Sequence, residues 1–410
     1  MRAHQQYTYV SHVDCSRCTR RYDPDTVLGL CTCGAPLVVR YDLDRLATAL
    51  DRQDLDRRPP SMWRYHELLP VSGADRVVTL GEGMTPVLGT PRLGRSIGVP
   101  GLLVKDEALI PTGTFKARGA ACGISRAAEL GVRRIAMPTN GNAGAAWAAY
   151  AARAGIRLCV VMPEDSPEIN RREATAYGAE VVLVRGLISD AGAAVRELVA
   201  TDPTWFDAST LKEPYRLEGK KTMGLELAEQ LGWQMPDVIV YPTGGGVGLV
   251  GIHKAVAELR ELGWIDGQTP RLVAAQSTGC APIVRAYEQG RRTSEPWQDA
   301  RTVAFGITVP SPLGDALVLD ALAESDGTAV AVDDEDIVDM VGRCARLDGL
   351  LLCPEGAAAL CAVESLRARG WIGEAERVVV LNTGAGTKYP EVLHADPAVI
   401  DPGDAVPALA

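Results

Sequence analysis

The chain has 410 residues, a length that suits two or three domains better than one core. Hydrophobic residues make up 47% and charged residues 23%, the balance of an ordinary globular protein. The formal net charge of −10 argues against nucleic acid as a partner, because a phosphate backbone is bound by a basic surplus. Residues 1–6 lack the apolar core of a signal peptide, and no run reaches the roughly 18 apolar residues of a membrane span. The expectation is a cytoplasmic protein with no membrane partner.

The first 40 residues hold Cys15-x2-Cys18, then, after twelve residues, Cys31-x-Cys33. Four thiolates on two turns can form a tetrahedral zinc site, and such a zinc would be structural because four protein ligands leave no open position. The alternative is four free thiols. Cys122, Cys159, Cys280, Cys344, Cys353 and Cys361 are scattered among apolar neighbours and read as buried free thiols. Residues 41–80 are charged, and Arg57-Arg58-Pro59-Pro60 reads as a linker or a surface-wrapping segment.

From about residue 81, short β-branched runs alternate with Ala-rich helical runs. Strands are expected at 134–137, 158–162, 180–184, 236–241 and 377–381. Helices are expected at 142–154, 167–177 and 248–262. This alternation implies parallel sheets with helices on both faces, an α/β fold. The tail after Pro390 reads as poorly ordered. His12, His66 and His253 are lone histidines and read as ordinary surface or core residues.

Four turns carry candidate chemistry. In Pro111-Thr-Gly-Thr-Phe-Lys116-Ala-Arg-Gly119, Thr112 or Thr114 is the expected N-cap of the next helix, which puts Lys116 in its first turn. The helix field there disfavours an ammonium and favours the neutral, nucleophilic amine; the alternative is a solvated surface lysine. Thr243-Gly244-Gly245-Gly246-Val247-Gly248 follows a strand and opens a helix, so its backbone N–H groups could cradle a phosphate. Gly246, Gly248 and Gly251 also fit the dinucleotide pattern G-x-G-x-x-G. The next strand ends at Gln276-Ser277 with no acid to hold a ribose, which makes a nicotinamide site the runner-up. Thr139, Asn140, Gly141 and Asn142 link a strand to a helix, either as a grip for a carboxylate and a ring hydroxyl or as a plain turn with an Asn cap. Thr383 follows the last strand, where its hydroxyl could meet a ring nitrogen; the alternative is a glycine-rich loop.

In the order T-G-T-F-K116, G-N142-A-G, T-G244-G-G-V-G and N-T383-G-A-G, the chain resembles the fold-type-II pyridoxal-phosphate (PLP) enzymes, and within them the threonine synthases. Gly81–Pro86, Lys105-Asp-Glu107, 211–222 and Cys353-Pro-Glu-Gly-Ala357 support that subgroup. The resemblance covers roughly residues 60–395 and implies a large PLP-binding domain at 81–120 plus 221–395, a small substrate-side domain at 121–220, and a 396–410 tail. It implies that Lys116 holds PLP as a Schiff base and shuttles protons. Asn142 would face the ring 3-oxygen, Gly244, Gly245, Gly246, Val247 and Gly248 would bind the cofactor phosphate, and Thr383 would face the pyridine nitrogen. Thr139, Asn140 and Gly141 would bind the substrate carboxylate. The implied reaction converts O-phospho-L-homoserine and water to L-threonine and phosphate, in a homodimer. The chain departs from the common pattern at Ile110, Thr114, Asn140 and Ala143. A phosphorylated substrate needs a second anion site, for which Thr112, Thr114, Ser189, Lys212, Arg216, Lys220 and Lys221 are the candidates. The rival readings are a threonine or serine dehydratase, a PLP replacement enzyme with another amino-acid substrate, and a non-PLP dehydrogenase or zinc-ribbon interaction module.

Overall fold

The computed structural model describes residues 6–393, 397–403 and 406. Three sheets organise them. A small antiparallel sheet runs in the order Arg21–Tyr22, Val10–Cys15, Leu37–Tyr41. A six-stranded sheet runs Thr328–Val332, Arg271–Ser277, Val238–Pro242, Val378–Asn382, Leu103–Asp106, Val87–Gly89, parallel except for the last pair. A four-stranded parallel sheet runs Glu180–Val184, Arg157–Pro163, Arg134–Pro138, Phe206–Asp207. This is the expected α/β architecture, with an antiparallel edge strand added to the larger sheet.

Local composition explains the elements. Val238–Pro242 and Val378–Asn382 are buried at every position, as near-continuous apolar strands covered on both faces should be. Asn142–Ala154 is rich in alanine, the strongest helix former, and stops at Gly155 in the left-handed conformation. The Tyr215–Gln230 helix packs against both the Lys116–Glu129 and the Val247–Glu261 helices. At their tightest crossing a Cβ on Gly219 would lie 2.0 Å from the Arg118 carbonyl oxygen, so only glycine fits. Both boundaries expected from the resemblance, at 120/121 and 220/221, fall inside these continuous helices.

The segment 41–80 is a packed wrap and not a free linker. Its Met62–Leu68 3-10 turn buries Met62, Trp63 and Tyr65. Arg58 pairs with Glu67 at 2.6 Å and Arg64 with Glu229 at 2.7 Å. The small sheet docks on the same body. The Tyr41 hydroxyl donates to Glu218 at 2.9 Å, and Arg126 donates to the Pro24 carbonyl. The expectation for the tail falls partly on residues 394–396, 404, 405 and 407–410, outside those described; 397–403 form no helix or strand. The expectation for the first six residues likewise falls, up to residue 5, outside them. Among the described residues, no helix is long and apolar enough to cross a membrane.

Candidate active site

A cavity of about 720 Å³ opens between the two large sheets. Three helices begin at its wall, at Lys116, Asn142 and Val247, and none of them has a side-chain cap. Their free N–H groups and aligned dipoles make the cavity favourable for anions and unfavourable for cations.

Lys116 is the first residue of its helix, as expected, but the cap differs from expectation. Neither Thr112 nor Thr114 caps it. Phe115 holds the N-cap position, and its N–H donates to the Thr383 carbonyl at 3.0 Å. Thr114 is extended, with its backbone bridged to Gly384, and the Ala385 N–H donates to the Gly113 carbonyl at 2.8 Å. This backbone clasp brings the Lys116 and Thr383 segments together. Burial, the main cause, lowers the Lys116 pKa from its ordinary value to about 8; Glu355 opposes the shift and Arg216 adds to it.

Behind Lys116, Arg118 is fully buried in an ion lattice. It donates to Glu107 at 2.6 and 2.8 Å, to Glu226 at 2.5 and 2.8 Å and to Thr222 at 2.8 Å, and Lys105 meets Glu226 at 2.6 Å. These groups anchor the start of the Lys116 helix.

The glycine turn lines the same cavity. Gly246 takes φ +75° as N-cap of the Val247–Glu261 helix, and a Cβ there would lie 2.1 Å from Val318. Cβ atoms at Gly244 and Gly248 would likewise lie 3.0 and 2.0 Å from their neighbours, so at these three positions the turn presents bare backbone. Gln276, where a dinucleotide site would want an acid, instead accepts from Ile283 and Val284 N–H and donates to the Thr243 carbonyl.

Asn142 donates to the Tyr389 hydroxyl at 2.9 Å, which donates in turn to Glu355 at 2.8 Å. Asn142 Oδ1, the Tyr241 hydroxyl and Glu355 Oε2 are buried without hydrogen-bond partners among the described residues. Thr139 accepts from the Gly141 N–H at 3.0 Å, and Asn140 donates to the Thr308 carbonyl at 2.9 Å. Thr383 lies 3.7 Å from the Cys353 sulfur. A phosphorylated pyridine fits this donor set: a nucleophilic amine, a glycine-lined anion cradle and orphaned polar atoms, all lining one cavity.

Ser189, Lys212, Arg216 and Lys220 line the cavity; Thr112, Thr114 and Lys221 do not. Lys221 pairs with Glu218 and Glu258 at 2.7 Å each. Lys212 is paired with Asp207, and exposed Ser189 sits at the rim. Sequence reasoning missed Tyr241, Glu355, Tyr389 and Trp147 in the wall. Only the Cys353–Ala357 segment had drawn attention to Glu355.

The cysteine cluster lies apart from this cavity. The Cys15, Cys18, Cys31 and Cys33 sulfurs all fall within 4.8 Å of one another. The Cys15–Cys33 and Cys18–Cys31 sulfurs are 3.4 and 3.6 Å apart, near the roughly 3.8 Å edge of a tetrahedral zinc–thiolate site. Backbone N–H groups of Arg17 and Cys18 point at Cys15, and the Tyr22 hydroxyl donates to Cys31. The set fits zinc. The other six cysteines are buried and free, as expected. His66 stacks on Tyr7, His12 meets Asp14 and His253 meets Glu324; none of the three lines the cavity.

Residues 78–384 match the family described as pyridoxal-phosphate dependent enzyme. The chain is 37% identical over 395 residues to a threonine synthase of Methanosarcina acetivorans, covering 95% of this chain and 96% of that one. It is 35% identical over 378 residues to a threonine synthase of Methanocaldococcus jannaschii, covering 92% and 93%. A solved L-serine ammonia-lyase of Rhizomucor miehei superposes with a TM-score of 0.64 at 22% identity, over 75% of this chain and 97% of that one, which shows the shared fold. The chain belongs to the pyridoxal-phosphate dependent enzyme family, among relatives that are threonine synthases.

Proposed function

We propose that the protein is a threonine synthase that converts O-phospho-L-homoserine and water to L-threonine and phosphate. The observation that carries this reading is the near-full-length likeness to threonine synthases. The cationic, anion-favouring cavity around Lys116 agrees with a phosphorylated amino acid as substrate.

PLP, when bound, supplies an electron-withdrawing ring that stabilises negative charge on the neighbouring substrate carbons. Lys116 is the covalent anchor and, once free, the base. Its lowered pKa puts it close to neutrality, where one amine can both take and return protons. It takes the α proton and serves the later transfers at the β and γ carbons within its swing. The Gly244–Gly248 turn would hold the cofactor phosphate. Asn142, fixed by Tyr389 and Glu355, would hold the ring oxygen, and Thr383 would meet the ring nitrogen with a neutral hydroxyl. The uncapped turn at Thr139, Asn140 and Gly141 takes the substrate carboxylate, with the helix N-terminus behind it. The four-stranded unit closes on the cavity and keeps water out until the addition step.

The cysteine cluster holds a structural zinc, and metal analysis giving less than about half an equivalent would remove that part of the reading. The protein acts as a cytoplasmic homodimer, with its buried thiols reduced; a monomer in sedimentation would remove the dimer.

The test is product analysis. The PLP-loaded protein is incubated with O-phospho-L-homoserine in water labelled with heavy oxygen. Labelled threonine plus free phosphate is expected. Unchanged substrate, together with an oxo acid released from threonine or serine, would replace this reading with a dehydratase.

A further inference from the structure

The cavity contains a second lysine that the steps above do not use. Lys220 lies on the Tyr215–Gln230 helix and is 5% exposed. Its Nζ is 4.6 Å from the Phe115 ring centroid, and Lys116 Nζ is 4.5 Å from the same ring. The chain buries Lys105, Lys220, Lys221, Lys254 and Lys388 among its described residues. Four of these meet a carboxylate: Lys105 meets Glu226, Lys221 and Lys254 meet Glu218 and Glu258, and Lys388 meets Glu173. Lys220 alone has no ion-pair or hydrogen-bond partner among the described residues.

An unpaired buried ammonium is strongly unfavourable, so it either gives up its proton or waits for an anion. Its surroundings select the anion. Arg216 stands one turn before it, with its guanidinium over the Trp147 ring at 4.7 Å. Glu213 and the Ala208 carbonyl take part of that guanidinium, and Nη1 has, among the described residues, only Thr210 Oγ1 at 3.2 Å. Thr210 in turn touches the glycine cradle, 3.5 Å from where a Gly245 Cβ would stand. The Lys116 helix faces Lys220 with another cation, and the Val247–Glu261 helix faces the cavity with Val247 and Gly248, which carry no charge. Burial, then Lys116 and Arg216, push the Lys220 pKa well below its ordinary value, and Glu213 only partly offsets this. A multiply charged oxyanion answers all of these groups at once, because it has enough acceptors for an ammonium, a guanidinium and backbone N–H groups together. A carboxylate has its own turn at Thr139–Gly141.

We propose that Lys220, together with Arg216, is a ligand for a phosphoryl group in this cavity, either the one that leaves the substrate or the one that the cofactor carries. The first source rests on the threonine synthase reading; the second needs only PLP.

Lys220→Met removes the charge while keeping an apolar stem of similar length, and Lys220→Gln keeps a polar end should the first variant fold poorly. The melting temperature of the apo variants should match or exceed that of the wild type, since an unpaired buried amine is removed. Calorimetric titration of the PLP-loaded proteins with inorganic phosphate then reads the substrate source. PLP titration of the apo proteins, followed by absorbance, reads the cofactor source. About a tenfold or larger loss of phosphate affinity with unchanged PLP loading assigns Lys220 to the leaving group. A similar loss of PLP affinity with phosphate binding unchanged assigns it to the cofactor. Well-folded variants with both affinities unchanged overturn the proposal. Because neither titration needs turnover, a wild type that leaves O-phospho-L-homoserine untouched would sink the threonine synthase reading without touching this result.

Discussion

Lys116 shows how one residue gains reactivity from where the chain puts it. It opens a helix at an anion-favouring cavity wall, and burial lowers its pKa to about 8. The neutral amine is the form that attacks an aldehyde. The rate at which apoprotein captures PLP should therefore rise about tenfold per pH unit below about 8 and level off above it. Stopped-flow absorbance checks this, and a rise continuing through the ordinary lysine range would contradict it. The stability linkage has the same sign. Between about 8 and its ordinary value the unfolded lysine keeps a proton that the folded one has lost, so this group makes apoprotein stability rise with pH across that window, with the full penalty below it. The lysine and its helix were legible because Thr-Gly-Thr-Phe-Lys-Ala-Arg-Gly is a local pattern. The Asn142–Tyr389–Glu355 chain was not legible, because it joins residues 247 and 34 positions apart and only the fold brings them together.

Among the elements, the Lys116–Glu129 helix owes its position to Arg118. Arg118→Ala would leave Glu107 buried without its ion-pair partner and Glu226 with Lys105 alone, and the chain should lose about 3–5 kcal/mol of stability. Arg118→Met, which fills the space, should still lose stability, because Lys105 then faces two carboxylates alone. Urea unfolding of the apoprotein measures both, and an Ala variant within about 0.5 kcal/mol of wild type would show that the lattice does not anchor the helix. The same helix marks a limit of local reading. Thr112 and Thr114 have the chemistry of caps, but Thr114 is extended and clasped to Gly384, a contact made 270 residues along the chain that no local rule contains. Parallel strands were legible for the opposite reason: buried on both faces, they appear as unbroken apolar runs such as Val238–Pro242. The Met62–Leu68 turn hid its role because its buried Trp63 and Tyr65 sit among charged residues that are themselves paired.

At the scale of the whole molecule, three helix starts from different parts of the chain converge on one cavity between two sheets, and the charge there is opposite to the net charge of −10. The small cysteine sheet joins the body at Tyr41 and Glu218, on the same helix that presents Arg216 and Lys220 to the cavity. The fold and the glycine cradle could be read from sequence order alone. The sorting of Lys220 and Lys221 into an unpaired and a paired cation could not, since it depends on which of the two lies on the side of the helix that carries Glu218 and meets Glu258. Everything proposed for this cavity depends on which residue holds the cofactor. The most direct measurement is borohydride reduction of the PLP-loaded protein, followed by digestion and mass mapping of the labelled peptide. The label is predicted on Lys116 alone. A label on Lys220 or on any other lysine, or no label in a protein that retains PLP, would contradict it.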